Sequence, residues 1–324
     1  DTGEIAAQRA FAQLPMLVGH DFTRAMLIGV GTGNSLSTLA AQPFEQVDAV
    51  ELSGDILAAA RAHFSQLNKN VLDSPKVRVH ETDGRNFLLM STAKYDTVSI
   101  EVSSIWFAGA ADLYNREFCR LVAEHLAPRG VLQQWVQLHH LSRRDLALIL
   151  NSMRAELPHV SLFLLGRQGI ALASKEPLTL DYDRLTALSA QLWRTPATRG
   201  LPAGDVLTLA GTLLLDEAGV DALIREEAGK QRIEPSALVS GDDNLWLEYS
   251  TPRANADPAL GTEEALVDSL AHLSRGPLPV TGVDINEKML DWAKRHGRLS
   301  DYRVCADLAR ADVPTASFDL VVMS

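Results

Sequence analysis

A run of alternating glycines directly after a short apolar segment constrains this chain more than any other feature. The apolar residues 25–28 predict a buried strand, and Gly29, Gly31 and Gly33 follow it at every second position. Glycine lets the backbone turn sharply and lets a ligand approach the peptide groups closely. A predicted helix begins at Asn34. The run therefore predicts a strand–loop–helix unit whose loop binds a ligand largely through its backbone.

Strands and helices alternate over residues 1–175. Strands are predicted at 25–28, 47–51, 77–80, 95–100 and 131–136, and helices at 34–41, 55–67, 85–90, 113–126 and 143–156. A hairpin at 160–173 follows. This alternation predicts a parallel sheet with helices on both faces, a Rossmann-like α/β domain.

The pattern changes after residue 175. Residues 176–253 form a predicted helical extension and closing segment, with helices at 181–193, 206–214 and 216–227. Residues 254–279 are polar and contain Ala, Pro and Gly, which predicts a linker. Residues 280–324 predict a partial second α/β segment.

Composition excludes several classes of function. The net charge of −11 over 324 residues argues against a broad nucleic-acid or anionic-membrane surface. No apolar run approaches the ~20 residues that span a bilayer. The two cysteines indicate neither a disulfide framework nor a metal site, so a cytoplasmic protein without a metal is expected.

Two acidic residues stand where a nucleoside would need them. Glu51 closes the second predicted strand, about twenty residues after the glycines, where a carboxylate can accept hydrogen bonds from both ribose hydroxyls. Asp83 and Gly84 follow the third strand, where an acid can bind the adenine amino group and a glycine leaves room for the ring. The alternative for Asp83 is a helix N-cap. NAD is disfavoured because Leu36 stands where the dinucleotide fingerprint has its third glycine.

Residues 26–138 resemble the spermidine synthase-like, or polyamine aminopropyltransferase, branch of the class I methyltransferase superfamily. The similarity is carried by "MLIGVGTGNS", "VDAVELSGDILAAAR", "LDSPKVRVHETDGRNFL", "KYDTVSIEVSS" and "LAPRGVLQQWVQL", and by "DDNLWLEYSTPR" at 242–253. The resemblance implies a class I methyltransferase fold that binds S-adenosylmethionine or its decarboxylated form. It implies that the cofactor is bound by residues of the two glycine-containing loops and the second strand: Gly29, Gly31, Gly33, Asn34, Glu51, Asp83 and Gly84.

The loop after the fourth strand departs from this family. In the spermidine synthases that this chain resembles, the loop has the sequence Asp-x-x-Asp. Its first acid orients and deprotonates the attacking amine, and its second acid binds the aminopropyl amine of the donor. Here Glu101 replaces the first acid and Ser104 the second. An unpaired ammonium is costly to bury, so losing the second carboxylate disfavours the decarboxylated donor and relieves repulsion against the carboxylate of S-adenosylmethionine. The loop therefore favours methyl transfer over aminopropyl transfer.

Candidate acceptor-site residues follow the fourth and fifth strands. Glu101 is the candidate base and also lies beside the cofactor, and Tyr114 is a second candidate catalytic or pocket residue. The expected substrate pocket consists of residues at the ligand-bearing edge of the sheet: Ser104, Trp106, Gln134, Gln137 and His139. Adjacent His139 and His140 would face opposite ways on a strand, so no metal site is predicted.

Four functions remain open. The preferred one is alkyl, chiefly methyl, transfer from S-adenosylmethionine to a small amine, and an aminopropyltransferase is the first alternative. A non-catalytic nucleoside- or polyamine-binding module and an NAD oxidoreductase are the others, the last disfavoured by Leu36. The resemblance also implies a possible homodimer, and no nucleic-acid or membrane partner is expected.

The segment 280–324 resembles part of a second class I methyltransferase. The resemblance implies that Asp284 would contact a ribose and that Asp307 would lie on the adenine side. No glycine loop precedes Val280, where "AHLSRGPLP" stands instead.

Overall fold

The computed structural model describes residues 2–102, 104–107, 109–179, 209–257 and 262–273, together with the backbone of 281–284 and 301–304. An eight-stranded sheet lies at its centre, in the order β3-β2-β1-β4-β5-β7-β6-β8. The strands are β1 (Arg24–Ile28), β2 (Gln46–Glu51), β3 (Val77–Glu81), β4 (Tyr95–Ile100), β5 (Leu126–Val136), β6 (His159–Leu165), β7 (Gln168–Ser174) and β8 (Leu213–Leu215). The first five strands are parallel, β7 is antiparallel to β5 and β6, and β8 is antiparallel to β6. The predicted Rossmann-like fold is confirmed.

Helices cover both faces of this sheet. They are α1 (Thr2–Gln13), α2 (Pro15–Val18), α3 (Asn34–Ala41), α4 (Gly54–His63), α5 (Ser65–Asn68), α6 (Gly84–Met90), α7 (Arg116–His125), α8 (Arg143–Arg154), α9 (Glu217–Gln231), α10 (Trp246–Ala256) and α11 (Glu263–Leu270). Successive strand residues face opposite sides of the sheet. In β1, Leu27 packs with α1 to α4, whereas Met26 and Ile28 pack with α6 to α9.

Strand register brings the candidate site residues to one edge. Ile28, the last residue of β1, pairs with Val50 on one side and with Ile100 on the other. The glycine loop, Glu51 and Glu101 therefore lie side by side at the carboxyl ends of three neighbouring parallel strands, β1, β2 and β4. This carboxyl edge is where ligands bind in open parallel sheets.

The structure corrects several expected elements. The helix expected at 206–214 is wrong at its end, because residues 213–215 form β8 and pair with β6. Backbone pairing to an exposed sheet edge overrides the helical spacing of its leucines. The helix expected at 55–67 is interrupted at Phe64, and a 3-10 turn (Ala110–Tyr114) precedes α7. The helix expected at 181–193 lies outside the described residues.

The expected linker at 254–279 contains packed structure. Helix α10 continues to Ala256, and α11 follows within the stretch. Leu266 and Leu270 of α11 are buried in the same cluster as Leu215 and Val220. In its described part, this stretch is therefore anchored to the core rather than extended. The domain boundaries themselves remain a prediction.

Strands β9 (Thr281–Asp284) and β10 (Asp301–Val304) form a separate parallel pair. Two parallel strands need a crossover connection, as in an α/β unit. Asp284 is the last residue of β9, whereas Asp307 lies outside the described residues. In the part of the chain that the structure describes, no helix has the length and apolar character needed to cross a bilayer.

Candidate functional site

The glycine loop adopts backbone angles that favour glycine at all three positions. Gly29, Gly31 and Gly33 have φ values of +90°, +52° and +80°. A Cβ atom on Gly29 would lie 2.4 Å from the carbonyl oxygen of Glu101, so the loop passes directly against the end of β4. A Cβ on Gly31 would meet nothing within 4 Å. The loop is thus tightly packed at its base and open at Gly31.

Glu51 turns its carboxylate onto this loop. Its Oε2 accepts hydrogen bonds from the backbone N–H groups of Val30 at 2.9 Å and Gly31 at 3.5 Å, and its Oε1 accepts one from Ser53 at 3.1 Å. The residue is buried. A carboxylate offers about four lone-pair sites, so the loop contacts leave capacity for a ligand hydroxyl. The predicted ribose contact remains a prediction, and Glu51 additionally fixes the loop.

Asp83 caps the N-terminus of α6, which from the sequence was the alternative to an adenine contact. Its Oδ1 accepts a hydrogen bond of 2.8 Å from the backbone N–H of Asn86 at the start of α6. A Cβ atom on Gly84 would lie 2.7 Å from the side chain of Ile28, so the glycine permits close packing of α6 on β1. Arg85, the next residue, forms an ion pair with Asp242 and ties α6 to the segment before α10. The predicted adenine contacts of Asp83 and Gly84 stay predictions.

Glu101 has the most perturbed carboxyl group at this edge. Burial raises its pKa to about 8 and the negative charge of Glu4 also raises it, whereas the nearby polar groups of Ser35 and Gln8 lower it. Gln8 Nε2 donates to Oε1 at 3.0 Å, whereas Oε2 is buried without a partner among the described residues. Once ionised, a desolvated carboxyl with one uncommitted oxygen can accept a proton from a neighbouring amine.

Helix α1 connects the base to the cofactor loop. Asn34, the first residue of α3, donates to the side-chain oxygen of Gln8 at 3.0 Å and to the carbonyl of Ile5 at 3.2 Å. Arg9 donates to the side-chain oxygen of Asn34 at 3.3 Å. Asn34 is therefore occupied by α1, and its predicted contact with a cofactor remains untested.

A pocket of about 440 Å³ opens beside this network. Residues from α1, from the end of β5, from the loops after β4 and β5 and from the β6–β7 hairpin line it: Glu4, Ala7, Ser104, Trp106, Trp135, Gln137, His139, Gly166, Arg167 and Gln168. Four of the five expected pocket residues, Ser104, Trp106, Gln137 and His139, thus come together. The Trp106 and His139 rings lie edge to face with centroids 5.6 Å apart. The backbone of His140 has a φ of +54°, a strained conformation of the kind concentrated at functional sites.

The structure places two expected site residues away from the pocket. The Tyr114 hydroxyl lies 2.8 Å from the backbone carbonyl oxygen of Trp135 and 3.0 Å from that of Val102, which share its single proton, and burial raises the pKa of the phenol. Gln134 is buried and donates to the carbonyl of Leu113 at 2.8 Å. Both side chains therefore support the loops around the pocket rather than line it.

Several pocket residues were not expected from the sequence. Glu4 and Ala7 lie on α1, Gly166 and Arg167 form the turn between β6 and β7, and Gln168 begins β7. Trp135 packs edge to face against Phe11 of α1 with ring centroids 5.5 Å apart. The spacing of Ala7, Phe11 and Leu14, all buried, could have indicated an amphipathic N-terminal helix. No local pattern indicates which strand edge that helix covers.

The loop region fits an adenosyl cofactor on structural grounds. The buried hydroxyl of Thr32 and the Oε2 atom of Glu101 lack partners among the described residues, and space is open above Gly31. Buried polar atoms without partners are rare and indicate a ligand or ordered solvent. Glu51 retains acceptor capacity at the same edge. A ligand that lies along the glycine loop would therefore find hydrogen-bonding partners for its polar atoms.

Comparison with known proteins identifies the family. The model of the spermine/spermidine synthase domain matches residues 4–165, half of the chain. The chain belongs to the spermine/spermidine synthase family. This confirms the resemblance expected from the glycine run and the segments around it. A methyltransferase domain model matches residues 259–324, in agreement with the expected second segment.

Curated relatives of this spermine/spermidine synthase family member are transferases. A polyamine aminopropyltransferase of Nitrosomonas europaea is 27% identical over 55% of this chain and 57% of its own. Polyamine aminopropyltransferase 2 of Pseudomonas aeruginosa is 28% identical over 45% of this chain and 43% of its own. Putrescine N-methyltransferase 2 of Nicotiana tabacum is 31% identical over 36% of this chain and 34% of its own. The chain thus spans about a third to somewhat over half the length of these relatives.

Solved structures agree on the fold. Spermidine synthase from Thermotoga maritima superposes with a TM-score of 0.56 at 17% identity, covering 70% of this chain and 75% of that one. A spermidine synthase in complex with the transition state analogue AdoDATO gives a TM-score of 0.55 with the same identity and coverage.

Proposed function

We propose that this chain transfers an alkyl group, preferentially methyl, from S-adenosylmethionine to an amine bound in the pocket beside Glu101. The observation that carries this proposal is the placement of Glu101. Its backbone lies against the glycine loop, and its buried carboxyl has one oxygen without a partner among the described residues. A proton acceptor between a cofactor loop and a pocket is the arrangement that amine alkylation requires.

The residues of the chain have separate roles in this reaction. An adenosyl-sulfonium donor would supply an alkyl carbon already activated by its positive sulfur. Glu101, when ionised, takes the proton of the acceptor ammonium onto Oε2, so that the nitrogen lone pair becomes available. The glycine loop and Glu51 orient the donor side, and Trp106 and Trp135 bound the acceptor side, where aromatic faces attract cations.

The preference for methyl transfer rests on Ser104. Ser104 lines the pocket at the loop position where spermidine synthase-like sequences carry a second acid. An uncharged residue there neither binds an aminopropyl ammonium nor repels the carboxylate of S-adenosylmethionine. Similarity to a putrescine N-methyltransferase adds support.

Aminopropyl transfer from decarboxylated S-adenosylmethionine is the second candidate. It is supported by the family and by the aminopropyltransferase relatives. Glu4 also favours it, because a carboxylate from α1 lines the same pocket as Ser104 and could bind an ammonium there.

A donor competition experiment separates the candidates. The protein is incubated with a panel of amines and equal amounts of S-adenosylmethionine and its decarboxylated form. The masses of the products are then measured by mass spectrometry. Methyl transfer adds one methyl group to the amine, and aminopropyl transfer adds an aminopropyl group. Glu101→Gln should bind either donor normally and lose most turnover, with Glu45→Gln, an exposed residue at the opposite edge, as the control. Donor binding without any product would favour a non-catalytic binding module.

A further inference from the structure

Both N–H groups of the buried Asn34 side chain are used by helix α1. The Nδ2 atom donates to the backbone carbonyl of Ile5 at 3.2 Å and to the side-chain oxygen of Gln8 at 3.0 Å. The Oδ1 atom accepts a hydrogen bond of 3.3 Å from Nε of Arg9. Asn34 is the first residue of α3 and directly follows Gly33. It therefore connects the end of the glycine loop to one face of α1.

The chemistry of these partners fixes the direction in which each amide points. A guanidinium group only donates hydrogen bonds, and a backbone carbonyl only accepts them. Arg9 must therefore meet the oxygen of Asn34, and Ile5 must meet its nitrogen. In that orientation Asn34 donates to Gln8, so the Gln8 oxygen is taken and its nitrogen faces Glu101. The side chains thus form one chain of hydrogen bonds in which every donor points towards the carboxyl group of Glu101.

The direction of this chain matters for the protonation of Glu101. An amide N–H stabilises a carboxylate, whereas an amide oxygen can only accept a hydrogen bond from a protonated carboxyl. Without the bond from Asn34, the Gln8 amide could rotate and present its oxygen instead. Among the described residues, two other groups act on the pKa of Glu101: the polar group of Ser35 on α3 lowers it, and the negative charge of Glu4 on α1 raises it.

We propose that Asn34 is a positioning residue of the transfer reaction. It holds the Gln8 amide so that an N–H, and not the oxygen, faces Glu101, and it thereby supports the form of the base that accepts a proton. Arg9 acts one step further away by fixing the orientation of Asn34. This inference rests on the proposed function, in which Glu101 takes the proton of the bound amine. It gives Asn34 a role in addition to the expected contact with the donor.

Titration of the Glu101 carboxyl tests this role without donor or turnover. The full chain is labelled with ¹³C at its glutamate carboxyl groups, and the NMR signal of Glu101 is identified by its loss in Glu101→Gln. Asn34→Leu should make this carboxyl about tenfold weaker as an acid, the effect of one charge-assisted hydrogen bond. The rising limb of kcat/KM should move to higher pH in the same variant. Thr38→Val, which removes a buried hydroxyl one turn further along α3, is the control and should titrate like wild type.

A double variant separates this chain of hydrogen bonds from a general loosening of α1. Gln8→Leu removes the last hydrogen bond of the chain, so adding Asn34→Leu should weaken the Glu101 acid no further. Arg9 is only partly buried, and Arg9→Leu should shift the titration in the same direction by a smaller amount. Arg9→Gln loses the charge but keeps an N–H donor, and it should restore most of the wild-type titration.

Two results would overturn the role of Asn34. One is a folded Asn34→Leu variant in which Glu101 titrates as in wild type, and the other is a double variant whose shift equals the sum of the two single shifts. If Asn34→Leu does not fold, a wild-type titration in Arg9→Leu overturns the role instead. Product analysis is scored separately. Product from wild type together with an unmoved titration rejects only the Asn34 assignment, whereas an Asn34-dependent titration without product from any donor rejects only the proposed transfer.

Discussion

Gln8 Nε2 lies 3.0 Å from Glu101 Oε1, joining two side chains that are 93 positions apart in the sequence. The hydrogen bond occupies one carboxyl oxygen and leaves the other buried without a partner among the described residues. Burial raises the pKa of Glu101 to about 8, and the polar groups of Ser35 and Gln8 oppose that rise. Helix α1 therefore influences both the direction and the proton affinity of the proposed base.

Activity should rise with pH through the ionisation of Glu101. Because burial raises its pKa to about 8, the carboxyl is mostly protonated at pH 7 and becomes a competent base as pH increases. In wild type, kcat/KM should therefore show a rising limb near pH 8. Glu101→Gln should remove this limb and leave the rise caused by deprotonation of the free amine at higher pH. A limb near pH 8 that persists in Glu101→Gln would exclude this residue as the base.

Replacing Gln8 by Leu should move the same limb to higher pH. The lost hydrogen bond stabilised the ionised form, so its removal raises the pKa of Glu101 further. The pH dependence of kcat/KM measures the shift, and Gln13→Leu on the same helix is a comparison variant. An unmoved limb in Gln8→Leu would show that this hydrogen bond does not control the base.

Glu51→Gln should weaken donor binding and loosen the glycine loop. The charged oxygens accept hydrogen bonds from Val30, Gly31 and Ser53, and we expect the remaining acceptor site to bind a ribose hydroxyl. Loss of one charge-assisted bond to a ligand should cost about 1.5–3 kcal/mol of binding free energy. Calorimetry with S-adenosylmethionine measures the change, and an unaltered dissociation constant would remove Glu51 from the donor site.

Alanine at Gly29 and at Gly31 should have different effects. At Gly29 a Cβ would approach the Glu101 carbonyl to 2.4 Å, so the variant should lose several kcal/mol of folding stability. At Gly31 the space is open, so only the positive φ opposes alanine, at roughly 1–2 kcal/mol. Urea unfolding measures both variants. Equal losses at the two positions would contradict the described packing of the loop.

Tyr114→Phe should reduce stability and leave chemistry largely intact. Its single hydroxyl proton is shared between the carbonyls of Val102 and Trp135, and removing this buried donor should cost about 1–3 kcal/mol of folding stability. The melting temperature should fall, whereas kcat at a temperature where the variant is folded should change less than threefold. A large fall in kcat with an unchanged melting temperature would instead restore Tyr114 as a catalytic residue.

The sheet could be predicted from sequence because local signals agreed with the global fold. The same arrangement of parallel strands is indicated by the apolar runs at β1 to β5, by the glycines after β1 and by the acid that ends β2. The edge strand β8 could not be predicted in this way. Its leucines suit a helix equally well, and only pairing with β6 decides between the two.

The site could be predicted only in part, because sequence order does not show which distant segments meet. Ser104, Trp106, Gln137 and His139 follow adjacent strands, so their convergence follows from topology. Glu4 and Gln8 reach the site through the docking of α1, a tertiary contact with no local signature. Gln134 was expected in the pocket, but successive residues of β5 point to alternate faces of the sheet. Its side chain therefore points toward Leu113.

Alkyl transfer from S-adenosylmethionine to a bound amine should depend on Glu101. The most direct measurement is a single-turnover reaction with S-adenosylmethionine carrying a deuterated methyl group, 1,4-diaminobutane and either wild type or Glu101→Gln, followed by mass spectrometry of the amine. One deuterated methyl group should appear on the amine in wild type, and its appearance in the variant should be at least about a hundredfold slower, a typical contribution of general base catalysis. Equal rates in the two proteins, or no labelled amine in wild type with donor bound, would contradict this role of Glu101.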